Sequence, residues 1–341
     1  MILILSDEDE NSTLLVIDWL LHLRIPYIRL NDTSLIDVLN IKSEKEKTSF
    51  ALRISDPSWS TSVREIHSDE ITGFWYRRGF LNIDENRLEP GKSTDKIVYI
   101  KESINKHLKN ENSKIFQFLN HYFQTVKHIG SFFENDTNKF HNSMQAALLG
   151  LEVPDSLITR SKAEFLQFHQ KTGSCIVKAL DRAGFRIGVD LGLGNTTHLL
   201  DENDISSMPD TFNYTLFQQF IDKEYDLRVF YLEGKFYSTA ILSQINPQTR
   251  IDFRNYDTKR PNRIVPYQLP SGLEVKLDLL MKALNLKSGS IDLVKDSNQK
   301  YFFLEINPIG QYGFTGSRCN FQLDKQIALY FDQLKVHETR N

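Results

Sequence analysis

Two apolar runs, Ser290-Ile291-Asp292-Leu293-Val294 and Tyr301-Phe302-Phe303-Leu304-Glu305-Ile306-Asn307, flank the turn-rich stretch Asp296-Ser297-Asn298-Gln299. That pattern specifies a β-hairpin. With Asn298 and Gln299 as a two-residue turn, Asp292 lies opposite Glu305. Glu305 and Asn307, two apart in a strand, share its face. Directly opposed residues sit about 5 Å apart, so two carboxylates and an amide oxygen converge. Acidic and amide oxygens without His or Cys suit Mg²⁺ rather than zinc, and Mg²⁺ held by one or two carboxylates commonly also contacts nucleotide phosphates. The plain alternative is the solvated face of an ordinary hairpin.

A length of 341 residues suits two or three subdomains rather than one small core. With 40% hydrophobic and 25% charged residues, the composition is that of a globular protein. No apolar run reaches the roughly 18 residues of a membrane span. Met1-Ile2-Leu3-Ile4-Leu5 leads into Asp7-Glu8-Asp9-Glu10, unlike a secretory signal, which points to the cytoplasm and to no membrane partner. Cys175 and Cys319 lie far apart, so no disulfide framework is expected. A net charge of −3 gives no general attraction to nucleic acid.

The order of elements begins as α/β: strands at 1–5, 27–30, 49–54 and 73–77, and helices at 11–23, 96–108 and 113–126. A helix from Asn138-Lys139 to Leu149 ends at Gly150, and Ser161-Lys162-Ala163-Glu164 is a capping box for a helix stopped by Gly173. Strands then follow at 175–180, 214–221, 227–232 and 235–242, with Glu233-Gly234 as a tight turn between the last two. Helices are expected at 273–286 and 320–334. The boundaries are an N-terminal α/β domain over 1–130, a central subdomain over 131–210, and a C-terminal antiparallel-sheet subdomain over 211–341.

Lys178 sits within Ile176-Val177-Lys178-Ala179-Leu180, where a buried ammonium is tolerable only beside anions. A nucleotide phosphate would supply them. Gly184, Gly188, Gly192 and Gly194, with Arg182 and Arg186, form a segment suited to a lid over a triphosphate or to a plain glycine-rich hairpin. It carries neither a P-loop nor a dinucleotide fingerprint. The extended Gln218-Gln219-Phe220-Ile221 suits an adenine edge, followed by Glu224 or Asp226 for ribose hydroxyls and by Arg228. The alternative there is a surface loop between strands.

Asn138-Lys139, Ile176-Val177-Lys178, Gln218-Gln219-Phe220-Ile221, Asp226-Leu227-Arg228, Asp252-Phe253-Arg254-Asn255, Asp292 and Glu305-Ile306-Asn307-Pro308, in this order, resemble the ATP-grasp superfamily of carboxylate-activating ligases. Phe74-Trp75-Tyr76-Arg77-Arg78 and the ending Leu304 to Phe314 make the chain similar to the graspetide maturases, microviridin- and plesiocin-type peptide ligases, and especially to their grasp-with-spasm branch. The resemblance implies an ATP-grasp fold with an N-terminal pre-ATP-grasp domain. It implies ATP phosphates on Lys139 and Lys178, adenine on Gln219, Phe220 and Ile221, and ribose on Glu224 or Asp226. It further implies Mg²⁺ on Asp292, Glu305 and Asn307, and an acyl phosphate facing Arg228 and Arg254. Arg77 and Arg78 are weaker substrate candidates, because neighbours in a strand point opposite ways and at most one readily faces a given anion.

The implied reaction phosphorylates an Asp or Glu side chain of a ribosomal precursor peptide. A Ser or Thr hydroxyl, or a Lys amine, then closes an ω-ester or ω-amide macrocycle. Leader recognition away from the reaction centre, and a homodimer, are implied in the same way. The competing readings are a glutamate-ligase-like enzyme that adds amino acids to a small molecule or protein, and a non-catalytic peptide-binding homologue.

Overall fold

The computed structural model describes residues 1–59, 63–83, 95–136, 138–180, 185–187, 191–193 and 197–332. The chain forms two compact units, Met1–Asn135 with Gln322–Asn341, and Asp136–Phe321.

In the first unit, β1 (Ile2–Leu5), α1 (Asn11–His22), β2 (Tyr27–Leu30), β3 (Leu35–Glu44), β4 (Lys47–Ser55), β5 (Arg64–His67), β6 (Gly73–Tyr76), β7 (Asn82–Ile83), α2 (Asp95–Phe123) and β8 (Lys127–Ile129) follow in order. A parallel sheet β2-β1-β6-β8 and a sheet β5-β4-β3-β7 share one core. Every residue of β1 and β6 is buried, as expected of parallel strands covered on both faces. Phe74 stacks on Phe123 of α2 at 4.8 Å between ring centres. The expected helices at 96–108 and 113–126 are one helix, because Ser113 returns its hydroxyl to Asn110 O inside the helix rather than ending it. Strand β3 is not announced by the sequence pattern, because its hairpin with β4 turns through Lys45-Glu46, a pair without Gly, Pro or Asn.

The second unit contains α3 (Lys139–Leu148), β9 (Ser156–Ser161), α4 (Lys162–Thr172), β10 (Cys175–Lys178), β11 (Phe185–Ile187), β12 (Leu191–Leu193), β13 (His198–Leu199), α5 (Glu202–Ser207) and β14 (Thr211–Gln219). It continues with β15 (Lys223–Leu232), β16 (Lys235–Leu242), β17 (Arg263–Tyr267), α6 (Ser271–Ala283), β18 (Ser288–Asp296), β19 (Tyr301–Asn307) and α7 (Gly313–Arg318). The last helix, α8 (Leu323–Asp332), belongs to the first unit and packs on α1. This corrects its expected place in a 211–341 subdomain. Its Phe331 comes so close to β6 that a Cβ on Gly73 would lie 3.0 Å from the ring and 2.6 Å from Ile2.

Two antiparallel sheets shape the second unit: β13-β10-β14-β9, and the five-stranded β17-β16-β15-β18-β19. In the first, Cys175 and Phe217 pack with Phe165 of α4, which turns Ile176, Lys178 and Gln218 to the other face. In the second, Leu227, Val229, Tyr231, Ile291, Leu293, Phe303 and Ile306 pack with Leu277, Leu280 and Met281 of α6. The alternation leaves Asp226, Arg228, Asp292 and Glu305 on the opposite face. Phe303 is fully buried in this core, so Phe303→Ala should cost about 3–5 kcal/mol, read as a fall in the urea unfolding midpoint. The turn at Glu233-Gly234 has positive φ at both residues, 41° and 82°, as a two-residue hairpin requires. In the glycine-rich segment, Arg186 pairs with Gly192 across β11 and β12, while Arg182, Gly184, Gly188 and Gly194 lie outside the described residues. No helix among the described residues is long and apolar enough to cross a membrane.

Candidate active site

The hairpin forms with its expected partner positions by an unexpected route. Asp296 and Lys300 close three residues, Ser297, Asn298 and Gln299, the last at φ 66°, rather than two. Near the turn Lys295 pairs with Tyr301 and Leu293 with Phe303, and a bulge between Asp292 and Leu293 then inserts Leu304. The bulge offsets the longer turn and sets Asp292 opposite Glu305 and Ser290 opposite Asn307. On the other side of β18, Arg228 of β15 faces Asp292. Arg228, Asp292 and Glu305 therefore form one row across three strands.

Cations surround the two carboxylates. Arg228 Nη1 donates to both Asp292 oxygens at 2.8 and 2.7 Å, and its Nη2 donates to Gln311 O at 3.2 Å. Arg254 Nη1 reaches Glu305 Oε1 at 3.3 Å, and Lys139 Nζ lies 3.6 Å from Oε2. Lys139 is placed by the start of α3, where the Asn138 side chain accepts from the amides of Phe140 and His141 at 3.0 Å. Burial pushes the Asp292 pKa up, against the pull of Arg228 and with the repulsion of Glu305. Burial works the same way on Glu305, but Arg254, Lys139 and Lys178 outweigh it and hold its pKa below the ordinary value. Withdrawal from water pushes Lys178 down to about 8, with Arg254 and Lys139 acting in the same direction and Glu305 opposing.

These groups line one half-open cleft. Its walls include Lys178, Arg254, Asp292 and Glu305, together with the linker Gln219-Phe220-Ile221 between β14 and β15. A smaller recess on the α3 side shares Lys178 and Glu305 and adds Lys139. The amides of Gln219 and Phe220 donate to Asp155 O and Ser174 O, both at 2.8 Å.

The remaining sequence candidates fall in different places. Asp226 lines the cleft but is buried with its carboxylate on Lys223 Nζ and Ser243 Oγ, both at 2.6 Å. Glu224 is the extra residue of a bulge in β15 and lies 3.5 Å from Lys295 Nζ. Asn307 is half-buried opposite Ser290. Arg77 and Arg78 do not point opposite ways, because β6 ends at Tyr76 and both amides donate to Leu5 O. Both guanidinium groups reach Glu10, Arg78 at 2.5 Å and the buried Arg77 at 3.4 Å. Their charge, with the Ser12 hydrogen bond, overcomes burial and lowers Glu10 to about 2.

Asp252 belongs to the sequence motif Asp252-Phe253-Arg254-Asn255 without a role assigned from sequence. In the structure its Oδ1 accepts from Arg254 Nε at 2.9 Å and its Oδ2 from Arg254 Nη2 at 2.7 Å, while Thr197 Oγ1 donates to Oδ2 at 3.0 Å. Two of the three guanidinium nitrogens are thus committed, which turns Nη1 towards Glu305. Burial would raise the Asp252 pKa, but the hydrogen bonds and charge of Arg254 carry it well below the usual carboxylate range. The spacing of an acid two residues before an arginine in a loop was the available signal. Asp252→Asn should lower turnover by about 10–100-fold with nucleotide affinity little changed, as measured by steady-state kinetics beside nucleotide titration.

The donor set fits a hard divalent cation. No group of three His, Cys, Asp or Glu suited to a metal occurs among the described residues, so a cation at Asp292 and Glu305 would take a further oxygen from the Asn307 amide. The raised Asp292 pKa fits as well, since a positive ion would relieve the cost of burying that carboxylate.

The two sheets of the second unit, with a cation-ringed cleft and the α/β first unit, give the chain the ATP-grasp fold. It is similar along its whole length to macrocyclase MdnC of Microcystis aeruginosa MRC, solved with precursor peptide MdnA: 22% identity, 96% of this chain and 98% of that one, TM-score 0.70. It is similar to a RiPP-associated ATP-grasp ligase of Chryseobacterium gregarium, solved with ADP and a leader and core peptide: 19% identity, 97% and 96% coverage, TM-score 0.74. The ATP-grasp ligase PsnB, solved with a minimal precursor, Mg and ADP, matches at 16% identity, 97% and 96% coverage and TM-score 0.64. No family model matches the chain, and no curated protein matches it.

Proposed function

We propose that this chain is an ATP-dependent peptide ligase of the graspetide type, which joins Asp or Glu side chains of a ribosomal precursor peptide to Ser or Thr hydroxyls, or to Lys amines, of the same peptide. The observation that carries this reading is the convergence of Lys178, Arg254, Asp292 and Glu305 on one cleft beside the Gln219-Phe220-Ile221 linker. Three neighbours of the same fold, solved with precursor or leader and core peptides, support the substrate class.

In this reading adenine lies on the linker, and Lys139 and Lys178 take phosphate oxygens. Asp292, Glu305 and Asn307 would hold Mg²⁺, whose charge when bound offsets that of the transferring phosphoryl group and the leaving diphosphate. The γ-phosphoryl group passes to a peptide carboxylate: a new P–O bond forms to the carboxylate oxygen, and the bond to the β-phosphate oxygen breaks. Arg254 Nη1, aimed by Asp252, offsets charge on the acyl phosphate, while Arg228 holds Asp292 in the row. The hydroxyl or amine then adds to the acyl carbon, loses its proton, and expels phosphate. The cytoplasm, which supplies ATP, is the fitting compartment.

Incubating the protein with ATP, Mg²⁺ and candidate precursor peptides that carry Asp or Glu together with Ser, Thr or Lys tests the reading by mass spectrometry. Loss of one water mass per ring supports it, whereas a gain of amino-acid mass favours a glutamate-ligase-type enzyme. A pH dependence follows as well. Lys178 is cationic below about 8 and loses its charge as pH rises through that value, while phosphate, with its second pKa near 6, stays ionised throughout. Nucleotide affinity, measured by titration calorimetry, should therefore fall above pH 8 in the wild type, and in Lys178→Arg the fall should be absent.

A further inference from the structure

Both sheets of the second unit wall the cleft, so the distance across it depends on side chains that reach from one to the other. Thr197 stands just before β13. The antiparallel register of β13 on β10 pairs Leu199 with Ile176 and His198 with Val177, and carried one residue further it sets Thr197 beside Lys178. Opposed residues share a face, and Thr197, Ile176 and Lys178 all line the cleft. The Thr197 hydroxyl crosses to Asp252 Oδ2 at 3.0 Å, in the loop between β16 and β17. A carboxylate only accepts, so Thr197 is the donor. The other donors to this carboxylate among the described residues belong to Arg254: its amide at 3.0 Å and Nε at 2.9 Å on Oδ1, and Nη2 at 2.7 Å on Oδ2. Those three bonds fix the guanidinium to its own loop. The Thr197 bond is the one of the four that fastens the Asp252–Arg254 unit to the opposite sheet.

We infer that Thr197 is a positioning residue for phosphoryl transfer, its hydroxyl setting how far Arg254 stands from Lys178 across the cleft. This rests on the ligase reading and adds to it a residue that acts through Asp252 rather than on the nucleotide. In that reading the phosphoryl group departs from the side of Lys178 and arrives before Arg254, so the gap between the two cations counts most while the group is in transit. A bond that holds this gap favours the transition state over bound ATP, and a displacement of about 1 Å can cost about 10²-fold in rate. A second tie between the sheets is Lys139, whose Nζ donates to Ala179 O at 3.2 Å and lies 3.6 Å from Glu305 Oε2. The reading gives Lys139 to phosphate oxygens, so nucleotide binding draws on that tie. The Thr197 bond uses no group that the nucleotide needs. Asp252 is buried, and valine at 197 would remove the donor without opening space for water to replace it.

Steady-state ADP formation by the full chain with Mg²⁺, a candidate precursor peptide and a range of ATP concentrations tests the inference. Thr197→Val, equal in shape and without the hydroxyl, should lower turnover about tenfold and leave the ATP KM within about twofold of the wild type. Thr197→Ser, which restores the donor, should stay within about twofold in both constants. On an Asp252→Ala background, Thr197→Val should change turnover by less than about twofold, because the bond it removes is already gone. Thr197→Ala takes the place of Thr197→Val if near-UV circular dichroism shows the latter to be misfolded. Turnover above half of the wild type in the deciding variant overturns the inference, as does an equal loss with and without Asp252. A rise in ATP KM at unchanged turnover also overturns it, by making Thr197 a nucleotide contact. A wild type that forms ADP while the variants depart from this pattern overturns the inference alone, and one that forms no ADP with any candidate peptide overturns the ligase reading with it.

Discussion

Glu305→Gln should lower ATP-dependent dehydration of the precursor by about 10²–10³-fold, equivalent to about 2.7–4 kcal/mol of lost transition-state stabilisation. Glu305 is where the cleft's charges meet: Arg254 and Lys139 both bind it, it opposes Asp292, and it acts on Lys178. The amide keeps the shape and loses the charge, so near-UV circular dichroism should match the wild type while turnover collapses. A variant that retains more than a third of wild-type dehydration would remove the carboxylate from the chemistry. Arg228 and the rest of the row would then be a structural ion-pair network in an unused sheet face.

Arg254→Lys is the second large effect. Lysine keeps the charge but has no planar fork to meet Asp252 at two points, so the cation is no longer aimed by two bonds at 2.9 and 2.7 Å. Turnover should fall about 10²-fold, with the ATP KM within about threefold of the wild type, because in the proposed reading Lys139 and Lys178 hold the phosphates in either case. Peptide dehydration followed over a range of ATP concentrations separates the two constants. A large rise in ATP KM with unchanged turnover would move Arg254 from the acyl phosphate to ground-state nucleotide binding.

The opposition of Asp292 and Glu305 was legible in the sequence although the turn was read one residue too short. Strand alternation demands that Ile291, Leu293, Phe303 and Ile306 all reach the core, and only a bulge at Leu304 reconciles that with the longer turn. The hydrophobic pattern recorded the register; the local turn chemistry did not. Lys178 was legible for a related reason, as a charge in an apolar strand. Arg77 and Arg78 were misread because strand alternation was extended past Tyr76, where the chain leaves the sheet and both side chains swing to Glu10. The contact of Asp252 with Arg254 was signalled only by their spacing in a loop, and its other partner, Thr197, is distant in sequence and is supplied by the folded chain alone.

The most direct measurement is mass spectrometry of a candidate precursor peptide, carrying Asp or Glu together with Ser, Thr or Lys, after incubation with the protein, ATP and Mg²⁺. The expected result is a product lighter by one water per ring, with ADP and phosphate formed in step and no product when ATP is withheld. Peptide recovered at its starting mass while ATP binds normally, or peptide made heavier by added amino acids, would contradict the macrocycle-forming role.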